Sequence, residues 1–420
     1  MSKSKKWVLL FLALLFVGIG AYMGLNYYAN PLGYFTNIRG EKFYYSDDYS
    51  RSIKSAYVMK HKDEIEGAVI GGSKAGAIST DLLEELTGLH YYNFYVSQGN
   101  FLDYMRYTRF LVEDIGVKEI TLQLSSFEFQ RYDRTNLANN YHVPAILTGN
   151  PFKQIQEFAS YLMTDVSTLW RELTTRPKRS LAKTECIVDG MRNWCGTLAT
   201  FQQDPDRLIS RRVLRKYNAN LKKLFTKTRT GTREIIMNNT NALREIVSIC
   251  KKNNVKLRIF IGASGLNEKC LFEGSAYYSY LAALVSVAGE IWDFSDYNNI
   301  NMNPYNSFDQ RHYSYEVADL MVRTMLGVDS REGFGILLTP RNVHNYLAKR
   351  QEDFQALKKE YETTGTVALQ GMSDDSFLPW RTDWTGSKEA TQLRLDTYGG
   401  ISLKDEMMAE DETETEEEEE

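Results

Sequence analysis

Ser73, Asp309 and His312 are the residues whose types and spacing could carry covalent chemistry in this chain. Ser73 ends the run Glu66-Gly-Ala-Val-Ile-Gly-Gly-Ser73, which reads as a short buried strand turning through Gly71 and Gly72. Glycines permit the tight turn. The N-terminus of a helix just after the serine would offer free backbone N–H groups and a favourable dipole to a developing oxyanion. Such a serine still needs a base to become a nucleophile, and alone it would be read as a helix N-cap. Asp309-Gln-Arg-His312 supplies a base and its orienting acid. Three-residue spacing on a turn lets the carboxylate accept from imidazole Nδ1, leaving Nε2 to take the serine proton. Alone, that pair would be a local cap beside a surface histidine. Of the five histidines, His61, His90, His142 and His344 have no such partner at this spacing.

The elements that must position these groups alternate in type. Strands are predicted at 66–71, Tyr91 to Val96, Glu119 to Leu124, Val255 to Ile261 and Ile291 to Phe294. Helices are predicted at Ala75 to Thr87, Leu102 to Ile115, Arg233 to Lys252, Ala276 to Ala288 and Tyr315 to Leu326. This rhythm predicts an α/β fold, a doubly wound, mainly parallel five-stranded sheet built from 29–129 and 230–328. Ligands of such sheets sit at the carboxyl ends of the strands, where Ser73 falls. Residues 130–229 read as a mainly helical insertion rich in basic residues, Arg176, Lys178, Arg179, Arg211, Arg212, Arg215 and Lys216 among them. Two readings of it stand open: a cover that shapes a substrate site, or a helical subdomain with a solvated basic face. Residues 329–404 form a C-terminal extension with an exposed charged helix at Leu347 to Tyr361, and 405–420 an acidic tail expected to be disordered.

The N-terminus addresses the compartment. Lys3, Lys5 and Lys6 precede an uncharged apolar run from Trp7, about the length that spans a bilayer. The expected order is a cytoplasmic stub at 1–6, a transmembrane anchor at 7–28 and an extracytoplasmic body. A cleaved signal peptide is the competing reading; it is disfavoured because the run is long and no Ala-x-Ala site follows it. Cys186 and Cys195 bracket a segment with an Asp189-Gly190 turn signal, which suits a disulfide-closed hairpin or two free thiols. No cysteine spacing resembles a zinc site, and no phosphate-binding loop or dinucleotide fingerprint is present, so no metal or cofactor is expected. The net charge of -4 is biased by the acidic tail, and no nucleic-acid partner is expected.

The order and spacing of these motifs resemble the SGNH/GDSL hydrolase superfamily. Gly71-Gly72-Ser73 stands at that family's Gly-x-Ser block, and Asp309-Gln-Arg-His312 at its Asp-x-x-His block. The resemblance covers residues 60–328 without the insertion. It implies Ser73, Asp309 and His312 as catalytic residues, and an oxyanion site from Ser73, Gly99 and the adjacent Asn100 in Ser97-Gln-Gly-Asn100. The family's Gly-x-Asn-Asp block is missing; Leu124-Ser-Ser-Phe-Glu128 occupies its place. The anchor, the following Asn30-Pro-Leu-Gly33 and the late Asp-x-x-His-Tyr are similar to the membrane-anchored branch that includes DltD, the D-alanyl-lipoteichoic acid biosynthesis protein, and the alginate O-acetylation proteins. That resemblance implies a serine esterase or acyltransferase acting on a cell-envelope polymer or acyl donor, beside a membrane-bound O-acyltransferase. Two rivals are carried with it. One is an inactive protein of the same fold that binds a glycan or a transferase; the other is a membrane-tethered binding protein whose Asp-x-x-His is accidental.

Overall fold

The computed structural model describes residues 2–32, 34–35, 50–130, 143–175, 190–192, 225, 231–309, 311–368 and 375–379. Cys186, Cys195, the seven basic residues named in the insertion, and the acidic tail lie outside them.

The chain opens with helix α1 (Lys3–Ala29), apolar on every side and exposed along the membrane-length stretch. Helix α2 (Ser50–Lys60) follows, and the α/β body then begins with strand β1 (Gly67–Gly71). After it come α3 (Thr80–Thr87), β2 (Tyr91–Tyr95), α4 (Phe101–Arg109) and β3 (Glu119–Leu124). The insertion contributes α5 (Pro151–Leu162) and α6 (Val166–Thr175). The alternation resumes with α7 (Arg233–Lys252), β4 (Lys256–Ile261), α8 (Leu266–Phe272), α9 (Ser275–Ala288) and β5 (Ile291–Asp293). Helix α10 (Tyr315–Met325), strand β6 (Ile336–Leu338) and helix α11 (Val343–Thr364) complete it.

The sheet has six strands among the described residues, in the order β2-β1-β3-β4-β5-β6. The first five are parallel, and β6 runs antiparallel on β5, with Asp293 opposite Ile336. Side chains alternate between two cores. Ile70, Phe94, Leu122 and Ile259 face α4, α7, α9 and α11; Val69, Tyr95, Phe260 and Phe294 face α3 and α10. Because both faces are covered, β1, β2 and β3 are buried throughout.

Two expectations are corrected here. The sheet has six strands rather than five, and the α/β body does not stop at 328. β6 is only three residues long and carries no alternating pattern to announce it. The charged helix expected at Leu347 to Tyr361 is exposed along much of its surface, but it buries Leu347, Arg350 and Phe354, and a buried ionic network fastens it to the sheet. Arg350 Nε and Nη2 donate to Glu273 Oε1 at 2.9 and 2.6 Å, and Nη1 donates to Asp293 Oδ2 at 3.2 Å. Tyr346 and Tyr278 complete it by donating to Asp293 and Glu273. Charges removed from water need this density of partners. Replacing Arg350 by Met should leave Glu273 and Asp293 buried without a counter-charge, at a cost of about 3–5 kcal/mol. Urea unfolding should show it as a lower midpoint.

Candidate functional site

β1 is the point where the chain reverses its direction across the sheet, since β2 lies on one side of it and β3 on the other. The crevice at its carboxyl end receives Ser73. Gly71 makes this turn possible: a Cβ there would lie 2.6 Å from the Ala75 Cβ and 2.9 Å from the Gln123 carbonyl oxygen. Residues Ser73–Ala77 wind as a short 3-10 turn rather than the start of the longer helix expected from Ala75. Ala75 N–H donates to Gly72 O, so the Ser73 and Lys74 amides precede the first bonded amide of that turn.

His312 arrives from the far end of the body. An isolated bridge pairs Ser307 with Tyr313, and Phe308 N–H donates to the His312 carbonyl at 2.8 Å, closing the loop into a tight loop. Phe308 anchors it, edge-on to Tyr315 at 5.0 Å between ring centres. Asp309 works in both directions within this loop. Its Oδ1 accepts from the Arg311 and His312 amides at 2.6 and 2.7 Å, a short polar side chain stabilising its own turn. Its Oδ2 lies 2.8 Å from His312 Nδ1. His312 Nε2 in turn lies 2.8 Å from Ser73 Oγ. Residues 239 positions apart thus form one continuous hydrogen-bonded chain.

Electrostatics fix which atom carries which hydrogen. Burial pushes the Asp309 carboxyl up, but the His312 ring beside it and the donated hydrogen bonds outweigh burial and hold it below its ordinary range. An ionised carboxylate only accepts, so His312 Nδ1 carries the hydrogen and Nε2 is the bare acceptor facing the Ser73 hydroxyl. Burial also lowers the His312 imidazole; Asp309 opposes this, Arg192 and Lys74 add to it, and the net is a value below the usual 6.5. The shift favours the neutral imidazole, the form that can take the Ser73 proton. Its side chain is 16% exposed and that of Asp309 29%, so the site is recessed yet open to a ligand.

The expected oxyanion donors are placed differently. Gly99 sits beside Gly72, and its N–H donates to the Val96 carbonyl at 3.0 Å. The turn that consumes it holds Gln98 at φ 52°, a left-handed conformation that costs a non-glycine residue about 1 kcal/mol or more. Asn100 is likewise committed. Its Oδ1 caps α4 by accepting from the Leu102 and Asp103 amides, and its Nδ2 donates to Asp103 at 3.0 Å. At the missing third block, Ser125 donates from both its amide and its hydroxyl to Glu128. Of the expected donors, the Ser73 amide alone lies at the turn beside the hydroxyl.

Sequence reasoning missed the cations of the site. Lys74, the residue after the serine, is buried and pairs with Glu268 of α8 at 2.5 Å; its Nζ also donates to Ser264 Oγ at 3.1 Å. Arg192 comes from the insertion, its amide donating to the Gly76 carbonyl at 2.9 Å. Lys74 adjoined the serine in sequence, but nothing local pointed to Glu268 as its partner. A cleft of about 770 Å³ opens on the same edge of the sheet, past β5, with Asp296, Asn298, Asn299, Asn345 and Tyr346 in its lining. Among the described residues, no cluster of three His, Cys, Asp or Glu side chains is gathered as a metal site.

No protein-family model matches the chain, and no curated protein matches it. With five histidines, selective ring labelling makes the electrostatic arrangement directly testable by nitrogen NMR. His312 should titrate below 6.5, and Asp309→Asn should lower it further, because the carboxylate is the main influence raising it.

Proposed function

We propose that this chain is a membrane-anchored, extracytoplasmic SGNH-type serine esterase or acyltransferase that acts on a cell-envelope polymer. The observation that carries the reading is the hydrogen-bonded chain Ser73–His312–Asp309 at the crevice of the sheet. α1 supports the anchor, with its apolar stretch of bilayer length following three lysines. The cleft beyond β5 offers amide groups of Asn298, Asn299 and Asn345, which donate and accept, beside the acceptor Asp296 and apolar Ile300 and Phe334, a mixed lining that suits a sugar ring.

In the proposed reaction, Ser73 Oγ attacks an ester or thioester carbonyl as His312 Nε2 takes its proton. Asp309 steadies the resulting imidazolium without itself being protonated. The Ser73 amide supplies a donor to the tetrahedral oxyanion. Collapse expels the alcohol or thiol, which receives the proton from His312. Water or a polymer hydroxyl then attacks the acyl-serine and gives its proton to His312; His312 passes that proton to the departing Ser73 Oγ, and the acyl group leaves as acid or new ester. A membrane-bound O-acyltransferase is the proposed neighbour that delivers the acyl group.

One observation favours a second reading, an inactive protein of this fold that binds a glycan or that transferase: the Gly99 amide and Asn100 are already engaged. Turnover of p-nitrophenyl acetate by the full-length protein in detergent distinguishes the two. The first reading expects activity that falls on the order of 10⁶-fold in Ser73→Ala and in His312→Ala, with a smaller loss, on the order of 10⁴-fold, in Asp309→Asn. A parent protein that neither turns over the ester nor labels Ser73 with a fluorophosphonate would establish the second.

A further inference from the structure

Helices α5 and α6 invert the usual pattern of a surface hairpin. Leu169 and Glu172 on α6, and Tyr161 and Leu162 on α5, are buried. The outward face carries Phe152 and Ile155 at i, i+3, Met163 in the turn, and Val166, Trp170 and Leu173 at i, i+4, i+7. Phe152 is 82% exposed and Trp170 67%. A face with this many exposed large apolar side chains marks an interaction surface.

Its position says what covers it. The turn between the two helices docks on α1: Tyr22 donates to the Thr164 carbonyl, and the Thr164 hydroxyl donates to Asn26. Beyond α1, Asn30 in a left-handed conformation turns the chain back, its side chain bonded to both Phe35 N and O. Tyr34 then stacks on Tyr161 at 3.8 Å, and Phe35 meets Phe158 edge-on at 5.6 Å. At about 1.5 Å per residue, Tyr22 and Asn26 lie roughly 22–29 Å along α1 from Trp7. That is close to the ~30 Å thickness of a bilayer's apolar core. The hairpin therefore meets α1 at the level of the far interface, where both carry exposed apolar side chains. Glu157 ties α5 to the body, accepting from Ser52 Oγ at 2.6 Å and the Ala145 amide at 3.0 Å, so the apolar face is held rigidly at that level.

We propose that α5 and α6 form a second membrane contact, an amphipathic hairpin whose Phe152, Ile155, Val166 and Trp170 face enters the outer leaflet beside the anchor. Helices of this type lie in the interface plane with the apolar face buried among headgroups and upper acyl chains. The inference rests on α1 lying in a bilayer, as proposed above. The test is photolabelling of the full-length protein in phosphatidylcholine–phosphatidylglycerol vesicles carrying a phosphatidylcholine with a diazirine on its acyl chain, followed by peptide mapping. Adducts are expected within 151–175 as well as within 7–28. The double variant Ile155→Glu, Trp170→Glu should lose the former and keep the latter; both side chains are exposed, so neither substitution disturbs a core. Adducts in 7–28 alone would overturn the inference and leave the face to a protein partner. Adducts in 151–175 alone would overturn the anchor and with it the placement of the hairpin beside α1, and adducts in neither would overturn both.

Discussion

The double pairing of β1 sets the geometry of everything else in this molecule. Ile70 lies between Phe94 of β2 and Leu122 of β3, so the chain must leave β1 in one direction and return on the other side. That reversal splits the covering helices apart at the carboxyl edge and leaves a crevice there. Ser73 has no alternative position: with Gly71 pressed against Ala75 and the Gln123 carbonyl, the chain turns directly from buried strand into the crevice. The sheet delivers the hydroxyl, and the loop that carries Asp309 and His312 only has to meet it.

The strands and helices near the site were largely legible in the sequence. β3 and α7 fall on their expected bounds, because a fully buried strand and a long amphipathic helix each repeat their pattern enough times to be read. The trio Ser73, Asp309 and His312 was legible for another reason: each member needs a local device, a glycine turn or an aspartate turn, that leaves a mark within three residues. α2, α8 and β6 left no such mark. α2 buries Arg51 and Lys54, whose charges disguise an inward face. Arg51 reaches Asp103 and the Ser97 carbonyl, while Lys54 donates to the Asn93, Tyr95 and Gly190 carbonyls. A polar residue satisfied by distant partners reads as surface until the partners are known.

The same limit applies to the expected oxyanion donors. A glycine after the second strand fits the spacing of a donor, yet spacing does not say where an N–H points. Here a left-handed Gln98 turns the Gly99 amide back onto Val96. Glycine is needed at that position for packing, since a Cβ would strike Tyr104 and Val96. The residue type is thus explained without any role in charge stabilisation. Lys74 and Arg192 meanwhile bring positive charge to the site by routes that only the folded chain reveals.

The clasp of Tyr34 on Tyr161, with Asn26 held by Thr164, joins α1 to the body through side-chain contacts, and if α1 is a tether, as proposed, these oppose the swivel that a single helix would otherwise have. A body on a flexible leash samples a hemisphere whose radius grows with the leash. A body clasped to its own stalk keeps one attitude, and Ser73 keeps one altitude. With α1 in a bilayer, as proposed, the reach of Ser73 would be a fixed length of the architecture, and the proposed polymer would come within range only where it passes that height.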